Sequence, residues 1–339
     1  MFNKATKKKH GGRYVQGTIV RKSIGYSMLT PCVIFMIIVQ AIPFFYGVYV
    51  SFTDKTLFGA ASKGTPNFIG VTNYVNVLAN TNKASDFYQV FGFTLVYSVV
   101  IIVCAYLLGL YFAILLNRPM KYRNLFRSLA FLPWFVNPMV MATSWSQMFD
   151  PTVDGILNKL FMALKLIEEP LLWKGDSFWA KVCIIILGVW KAYPMMTVML
   201  LSALQGIDKS IYEPATIAGA SEIQKFRYIT FPLIMPMSIT VCALQFIWMF
   251  GTNSYDNIMT VTAGGPGRAT YVLTIEVFNQ AFKRGKMGFA ASISLMMLLF
   301  LGVCALLFVT VKKISARVAE KKEERSFESK FLEEGGTEA

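Results

Sequence analysis

Residues Asp208–Pro236 read DKSIYEPATIAGASEIQKFRYITFPLIMP, and the pattern in this stretch decides what kind of chain surrounds it. Asp208 can cap a first short helix. Pro214 makes that helix begin late or kink, because the residue before a proline is steered away from the α region. Gly219 supplies a turn that residues bearing a β-carbon resist. Ser221-Glu222-Ile223-Gln224 fits a capping box, in which the serine hydroxyl and glutamine side chain satisfy each other's orphan amides. Ile223, Phe226 and Ile229 then recur at helical spacing, and Pro232 and Pro236 mark the entry into an apolar run. Two short helices around a glycine are expected, with apolar side chains to spare. Such a knob suits a groove on a soluble partner.

The flanks of this loop are apolar over lengths that only a bilayer requires. The chain has 339 residues, 55% apolar and only 15% charged, too little charge to cover a soluble domain of that size. A bilayer core about 30 Å thick needs roughly 20 apolar residues at a rise of about 1.5 Å each. Six blocks meet that length, at Tyr26–Val50, Val90–Leu116, Leu125–Met148, Val182–Leu204, Leu233–Tyr255 and Phe289–Val311. The first is too long for a signal-peptide core and no small-residue cleavage site follows, so it reads as a retained span. The domain plan is a basic tail over 1–25, one transmembrane domain over 26–311 carrying the loop 205–232, and a charged tail over 312–339.

Net charge is +14, which in a soluble protein would point to nucleic acid. Here the cations sit at the ends of apolar blocks. Lys and Arg number 21 on the side of the two tails, the 117–127 turn and the 205–228 loop, against 11 in the three opposite loops. The positive-inside rule puts both termini in the cytoplasm, in a cell (plasma) membrane, with topogenic charge beside anionic lipid and no nucleic-acid partner. The five cysteines lie in or beside spans at no metal spacing, and His10 is the single histidine. Neither a metal site nor a histidine-based catalytic site is expected. Gly264-Gly265-Pro266-Gly267 lacks the ending of a phosphate loop and falls on the outer side, where it reads as a turn. No nucleotide-binding motif occurs, and an intramembrane enzyme would need paired acids or a nucleophile at depth. The chain reads as a transporter subunit rather than an enzyme. Prolines at 43, 133, 138 and 194 kink the spans.

Lys191 lies near the middle of the fourth span, where a cation needs a polar cavity or a partner. Trp248, Asn253, Tyr255 and Asp256 cluster late in the fifth. Amides and carboxylates for hydroxyl groups, beside aromatic planes for pyranose faces, make this a candidate substrate path. The same residues also fit an interfacial aromatic belt. Trp145 and Gln147 on the third span are weaker candidates of the same kind.

Glu213-Pro214-Ala215, then Gly219-Ala220-Ser221, Phe226, Ile229, Pro232 and Pro236, resembles the "EAA" signature of binding-protein-dependent transport permeases. Gly264-Gly265-Pro266, Thr270, Leu273, Ala281-Phe282 and Gly288-Phe289-Ala290-Ala291 are similar to the last third of carbohydrate-type permeases, as is the stretch Trp190–Tyr212. The likeness extends over roughly Ala130–Val311. It departs at Ala218, where the family usually carries an acid; the turn itself should survive. The resemblance implies an all-α, six-span permease of an ATP-driven importer, docked through Glu213, Pro214, Ala215, Gly219, Ala220, Ser221 and Phe226 onto separate ATPase subunits. It implies a second homologous permease, two ATP-binding-cassette subunits using ATP and Mg, and an extracytoplasmic solute-binding protein, with no cofactor on this chain. A sugar or oligosaccharide is the expected cargo. A non-sugar solute such as glycerol phosphate is the alternative, and a stand-alone secondary transporter, which would show internal repeats and acidic ion sites within its spans, is a more distant one.

Overall fold

The computed structural model describes residues 26–58, 65–79, 86–251 and 253–310, so both charged tails lie outside the described residues. Within them the chain is almost wholly helical, with a single isolated antiparallel bridge between Thr53 and Phe68. Long apolar helices form α1 (Tyr26–Ser51), α3 (Phe87–Asn117), α7 (Ser177–Gln205), α9 (Glu222–Phe250) and α12 (Met287–Thr310). A bent pair, α4 (Arg123–Phe135) and α5 (Pro138–Met148), supplies the remaining block. The shorter helices are α2 (Thr72–Leu78), α6 (Ile156–Ala163), α8 (Tyr212–Ile217), α10 (Asn253–Val261) and α11 (Leu273–Phe278).

The centre is the pair α3 and α7, which run against each other along most of their length. Ala105, Gly109 and Ala113 on α3, with Gly188, Ala192 and Met196 on α7, are buried along this seam. Small residues let helix backbones approach closely, which is how packing drives association where lipid is as apolar as the side chains. A β-carbon added at Gly109 would lie 2.5 Å from the Met196 β-carbon and 3.2 Å from the Thr197 backbone nitrogen. Gly109→Ala therefore forces a shift between the two central helices. It should lower stability by about 1–3 kcal/mol, read as an earlier thermal unfolding transition of the purified membrane protein.

The third apolar block is not one kinked rod. It turns by 93° between α4 and α5. Asn137 precedes Pro138 and is held out of the α region at ψ 130°, while its side chain accepts the Met139 N–H at 2.9 Å and starts a new helix. Pro194, by contrast, is accommodated inside an unbroken α7. Two other prolines are absorbed by π-turns: Ile37–Ala41 precedes Pro43 in α1, and Phe226–Thr230 precedes Pro232 in α9. The extra residue moves the backbone register where proline offers no N–H and its ring crowds the preceding turn.

That second π-turn changes the reading of the loop. The second helix of the knob is not separate; Glu222–Phe250 runs as one helix from the loop through the bundle, roughly 43 Å at about 1.5 Å per residue. The fifth span also ends sooner than expected, at Phe250. Gly251 leaves helical geometry, and a β-carbon there would sit 2.8 Å from the Ile247 carbonyl oxygen. Asn253, Tyr255 and Asp256 consequently lie on α10, a distinct helix packed against α5 and α7.

Candidate functional site

At the loop end of the bundle, Asp208 accepts the Ser210 N–H at 3.0 Å and starts a short 3-10 turn, Lys209–Ile211, that leads into α8. The backbone hydrogen bond from Ser210 holds the Asp208 carboxyl below its ordinary range. The cap is therefore present above that range and is lost as pH falls through the lowered value. Pro214 sits in the first turn of α8, where its missing N–H is tolerated.

Gly219 has φ +75°. Its N–H donates to the Thr216 carbonyl (3.0 Å), and the Ala220 N–H donates to the Ala215 carbonyl (2.9 Å). This is the pairing of a Schellman stop, which needs a left-handed residue at the position glycine occupies. The turn survives with Ala218 as the C-cap residue after Ile217. Ser221 and Gln224 then close the expected capping box, with the Ser221 N–H to Gln224 Oε1 at 2.7 Å and the Gln224 N–H to Ser221 Oγ at 3.3 Å. The hydroxyls of Tyr212 and Thr230 meet at 2.9 Å and tie α8 to the base of α9.

Glu213, Pro214, Gly219 and Ser221 are exposed, Ala215, Ala220 and Phe226 half-buried. The apolar tip consists of Ile217 and Ile223, 88% and 79% exposed. Phe226 faces inward toward Phe231, its ring centroid 6.1 Å away.

At the other end of α9, the structure brings some of the sequence-selected polar residues together. α10, which carries Asp256, packs against α7, which carries Lys191, and the two charges face each other without forming a direct ion pair. Trp190, beside Lys191, meets Trp145 of α5 edge to face at 5.8 Å. Tyr255 and Asp256 both line a cavity of about 580 Å³, which also takes in Thr274, Phe278, Phe282 and Ser294. Along its wall the Tyr255 and Phe278 rings lie 5.2 Å apart, and Phe278 and Phe282 5.1 Å apart. Trp248 does not join them, being exposed on α9 outside the cavity lining. Gln147 is exposed at the end of α5, where its carbonyl accepts the Asp150 N–H. Asn253 opens α10 by its backbone.

Sequence reading passed over the buried polar groups beside this path. Gln245 on α9 and Asn257 on α10 are buried, and Gln245 Oε1 and both Asn257 amide atoms have no partner among the described residues. Glu276 on α11 is 1% exposed and pairs with Arg268 at 2.9 Å, while Gln280 donates to its other oxygen at 2.6 Å. The signal for Gln245 and Glu276 was a lone polar residue among apolar neighbours, whereas Asn257 and Gln280 stand beside other polar residues and carry no such mark. α11 is held against α3 by the Leu273 N–H donating to Thr94 Oγ1 at 3.0 Å. Among the described residues no group of acids, cysteines or histidines could hold a metal ion.

Long apolar helices around polar residues at membrane depth, with a capped and exposed loop at one end, define a multi-span transport component of a membrane. The chain belongs to the family described as "Binding-protein-dependent transport system inner membrane component", whose model matches residues 105–322. It is 31% identical to the trehalose/maltose transport system permease protein MalF of Thermococcus litoralis, over 80% of this chain and 88% of that one. It is 32% identical to the inner membrane ABC transporter permease protein YcjO of Escherichia coli, over 73% and 80% of the two chains. Among solved structures, a bacterial ABC transporter that imports the acidic polysaccharide alginate shares the fold with a TM-score of 0.71, at 18% identity over 88% of this chain and 99% of that one. The chain is thus the non-enzymatic membrane subunit of an ABC importer, a permease.

Proposed function

We propose that this permease carries a neutral sugar or oligosaccharide, and that separate ATPase subunits drive it through the loop 205–232. The observation that carries the substrate class is the ring series Tyr255–Phe278–Phe282 along a cavity that also presents Asp256 and the hydroxyls of Thr274 and Ser294. Aromatic faces suit the apolar faces of sugar rings, and hydroxyl groups need carboxylate and amide partners. The unpartnered Gln245 Oε1 and the unpartnered Asn257 amide add hydrogen-bonding capacity on α9 and α10. Lys191 is the cation that a phosphorylated solute would seek, and it is not among the residues lining the cavity, which presents Asp256 instead; this favours a neutral sugar over glycerol phosphate. The trehalose/maltose system of the archaeal relative supports the same class.

The loop supplies the coupling. Glu213, Pro214, Ala215, Gly219, Ala220, Ser221 and Phe226 shape a knob whose tip is Ile217 and Ile223, and that tip seats in grooves of an ATP-binding-cassette subunit. Because α9 is continuous from Glu222 to Phe250, a displacement of the knob reaches the Gly251 break and shifts α10 against α7. Lys191 stays with the packed α3/α7 pair while Asp256 moves, so the two states differ at the charge pair. A bistable bundle whose states bind the ATPase dimer differently is what ATP-driven alternating access requires. ATP and Mg are used on the partner subunits. A second homologous permease completes the pore, and an extracytoplasmic binding protein delivers substrate, as in the alginate transporter solved with its periplasmic protein. Both termini face the cytoplasm in this arrangement.

The test is substrate-stimulated ATP hydrolysis by the assembled transporter with its binding protein. Neutral oligosaccharides should stimulate and glycerol 3-phosphate should not. Tyr255→Ala and Phe278→Ala should each raise the sugar concentration for half-maximal transport by roughly 3- to 10-fold, the worth of one aromatic contact at about 0.5–1.5 kcal/mol. Stimulation by glycerol 3-phosphate alone would refute the sugar assignment.

A further inference from the structure

We propose that the loop between α5 and α7 carries a membrane anchor, in which α6 lies in the bilayer interface at the end of the bundle opposite the Asp208–Lys225 knob. α6 has two faces. Leu157 and Phe161 turn inward and pack with Phe149 and Trp173. On the other side Val153, Ile156, Leu160, Leu164, Leu166 and Leu172 form a wholly aliphatic surface, each about half exposed or more, from Leu160 at 49% to Leu166 at 67%. No residue of the described structure covers that face.

The loop cannot carry this face far from the spans. Asn158 is completely buried and knots the segment together: its amide nitrogen donates to the carbonyls of Asp150, Thr152 and Leu171, and its oxygen accepts from the Leu171 N–H and Trp173 Nε1 at 3.1 and 2.8 Å. Lys174 Nζ donates to the Ser146 carbonyl of α5 at 3.1 Å. The helix end is fixed as well. Lys165 takes φ 55°, and the Leu166 N–H returns to the Phe161 carbonyl at 2.9 Å, folding Leu166 back toward α6. The surface therefore sits between two span ends, Met148 and Ser177, and continues into Phe178, exposed at the start of α7.

Lipid is the occupant this chemistry selects. An amphipathic helix at a span end, with Trp179 and Lys181 beside it, matches the interfacial zone where aromatic rings and snorkelling cations collect. Lys159, off the aliphatic face, is held by Asp154 at 2.9 Å. A binding protein that docks and leaves in each cycle would return these six exposed aliphatic side chains to water, whereas lipid keeps them covered throughout. The anchor would fix the ends of α5 and α7, and with them Trp145 and Lys191, while α9 and α10 move.

The experiment uses the assembled transporter in phospholipid nanodiscs, with the native cysteines replaced and a nitroxide spin label attached in turn to Leu160→Cys, Leu166→Cys and Lys159→Cys. Labels at 160 and 166 should relax several-fold more with oxygen than with a water-soluble nickel chelate, and the label at 159 the reverse. The two aliphatic positions report separately, so the failure of one variant to insert leaves the other as the test. Preferential relaxation by the nickel chelate at 160 and 166 would overturn the proposal, and loss of that signal on adding the binding protein would assign the face to it. Labels shielded from both reagents would assign the face to a protein neighbour and also overturn it.

Discussion

Gly219→Pro should abolish ATP-driven transport while leaving the permease inserted in the membrane. Gly219 holds φ +75° and its N–H donates to the Thr216 carbonyl. Proline fixes φ near −65° and has no N–H to donate, so it can satisfy neither requirement. The substitution meets no steric obstacle elsewhere, because a β-carbon at Gly219 would find nothing within 4 Å. Its effect is thus confined to the turn between α8 and α9, and both the apolar spans and the α3/α7 seam are untouched. Losing the Schellman stop re-aims Ile217 relative to Ile223, and a two-pronged tip no longer matches one groove. We expect transport in proteoliposomes to fall by at least about 100-fold, which needs only ~2.7 kcal/mol of lost coupling, with unchanged amounts of permease in the membrane fraction. Gly219→Ala, which keeps the N–H and meets a left-handed penalty of roughly 1–2 kcal/mol, should give an intermediate loss. Normal transport in the proline variant would show that the knob does not carry the drive.

Asp256→Lys should be comparably damaging at the other end of α9. In the native chain the Asp256 carboxylate faces the cavity and offsets the half-buried Lys191. Reversal places two cations on helices that pack together, one exposed at 256 and one half-buried at 191. Removing the partner of a charge withdrawn from water is worth about 3–5 kcal/mol when burial is complete, and Lys191 is only half-buried, so a loss smaller than that scale applies. Transport should fall about 10- to 100-fold, a loss of ~1.4–2.7 kcal/mol. The double reversal Lys191→Asp with Asp256→Lys should recover a substantial part of it, and Asp256→Asn should be milder than Asp256→Lys. If both single reversals transport at the native rate, the charge pair lies outside the moving part of the path.

What could be read from the sequence divides along the range of the interactions. Local devices were legible in full. The Ser221–Gln224 capping box, the Asp208 cap and the Gly219 turn involve residues five or fewer apart, and the structure shows each of them. The apolar blocks were legible as spans because length and composition decide that question. Prolines were visible but their consequences were not. Pro138 produces a 93° turn, Pro194 leaves its helix unbroken, and Pro232 is absorbed by a π-turn. The difference depends on whether neighbouring register can shift, which no single residue announces. Continuity misled in one place: the apolar run through Phe250 and Gly251 conceals a break, so Tyr255 and Asp256 moved from the fifth span to α10. The encounter of Lys191 with Asp256, and the exclusion of Trp248 from the cavity, depend on how α7, α9 and α10 pack together. Pairings of that kind carry no signature in spacing.

The central claim is that the Asp208–Lys225 knob delivers the work of a separate ATPase to this permease, and the most direct measurement is site-directed cross-linking from its tip. Ile217→Cys or Ile223→Cys, combined with single cysteines along the surface groove of the ATP-binding-cassette subunit, should give one dominant cross-linked product whose yield changes between nucleotide-free and ATP-bound transporter. Cross-links absent from both positions in a transporter that still pumps, or a yield indifferent to nucleotide, would contradict the account.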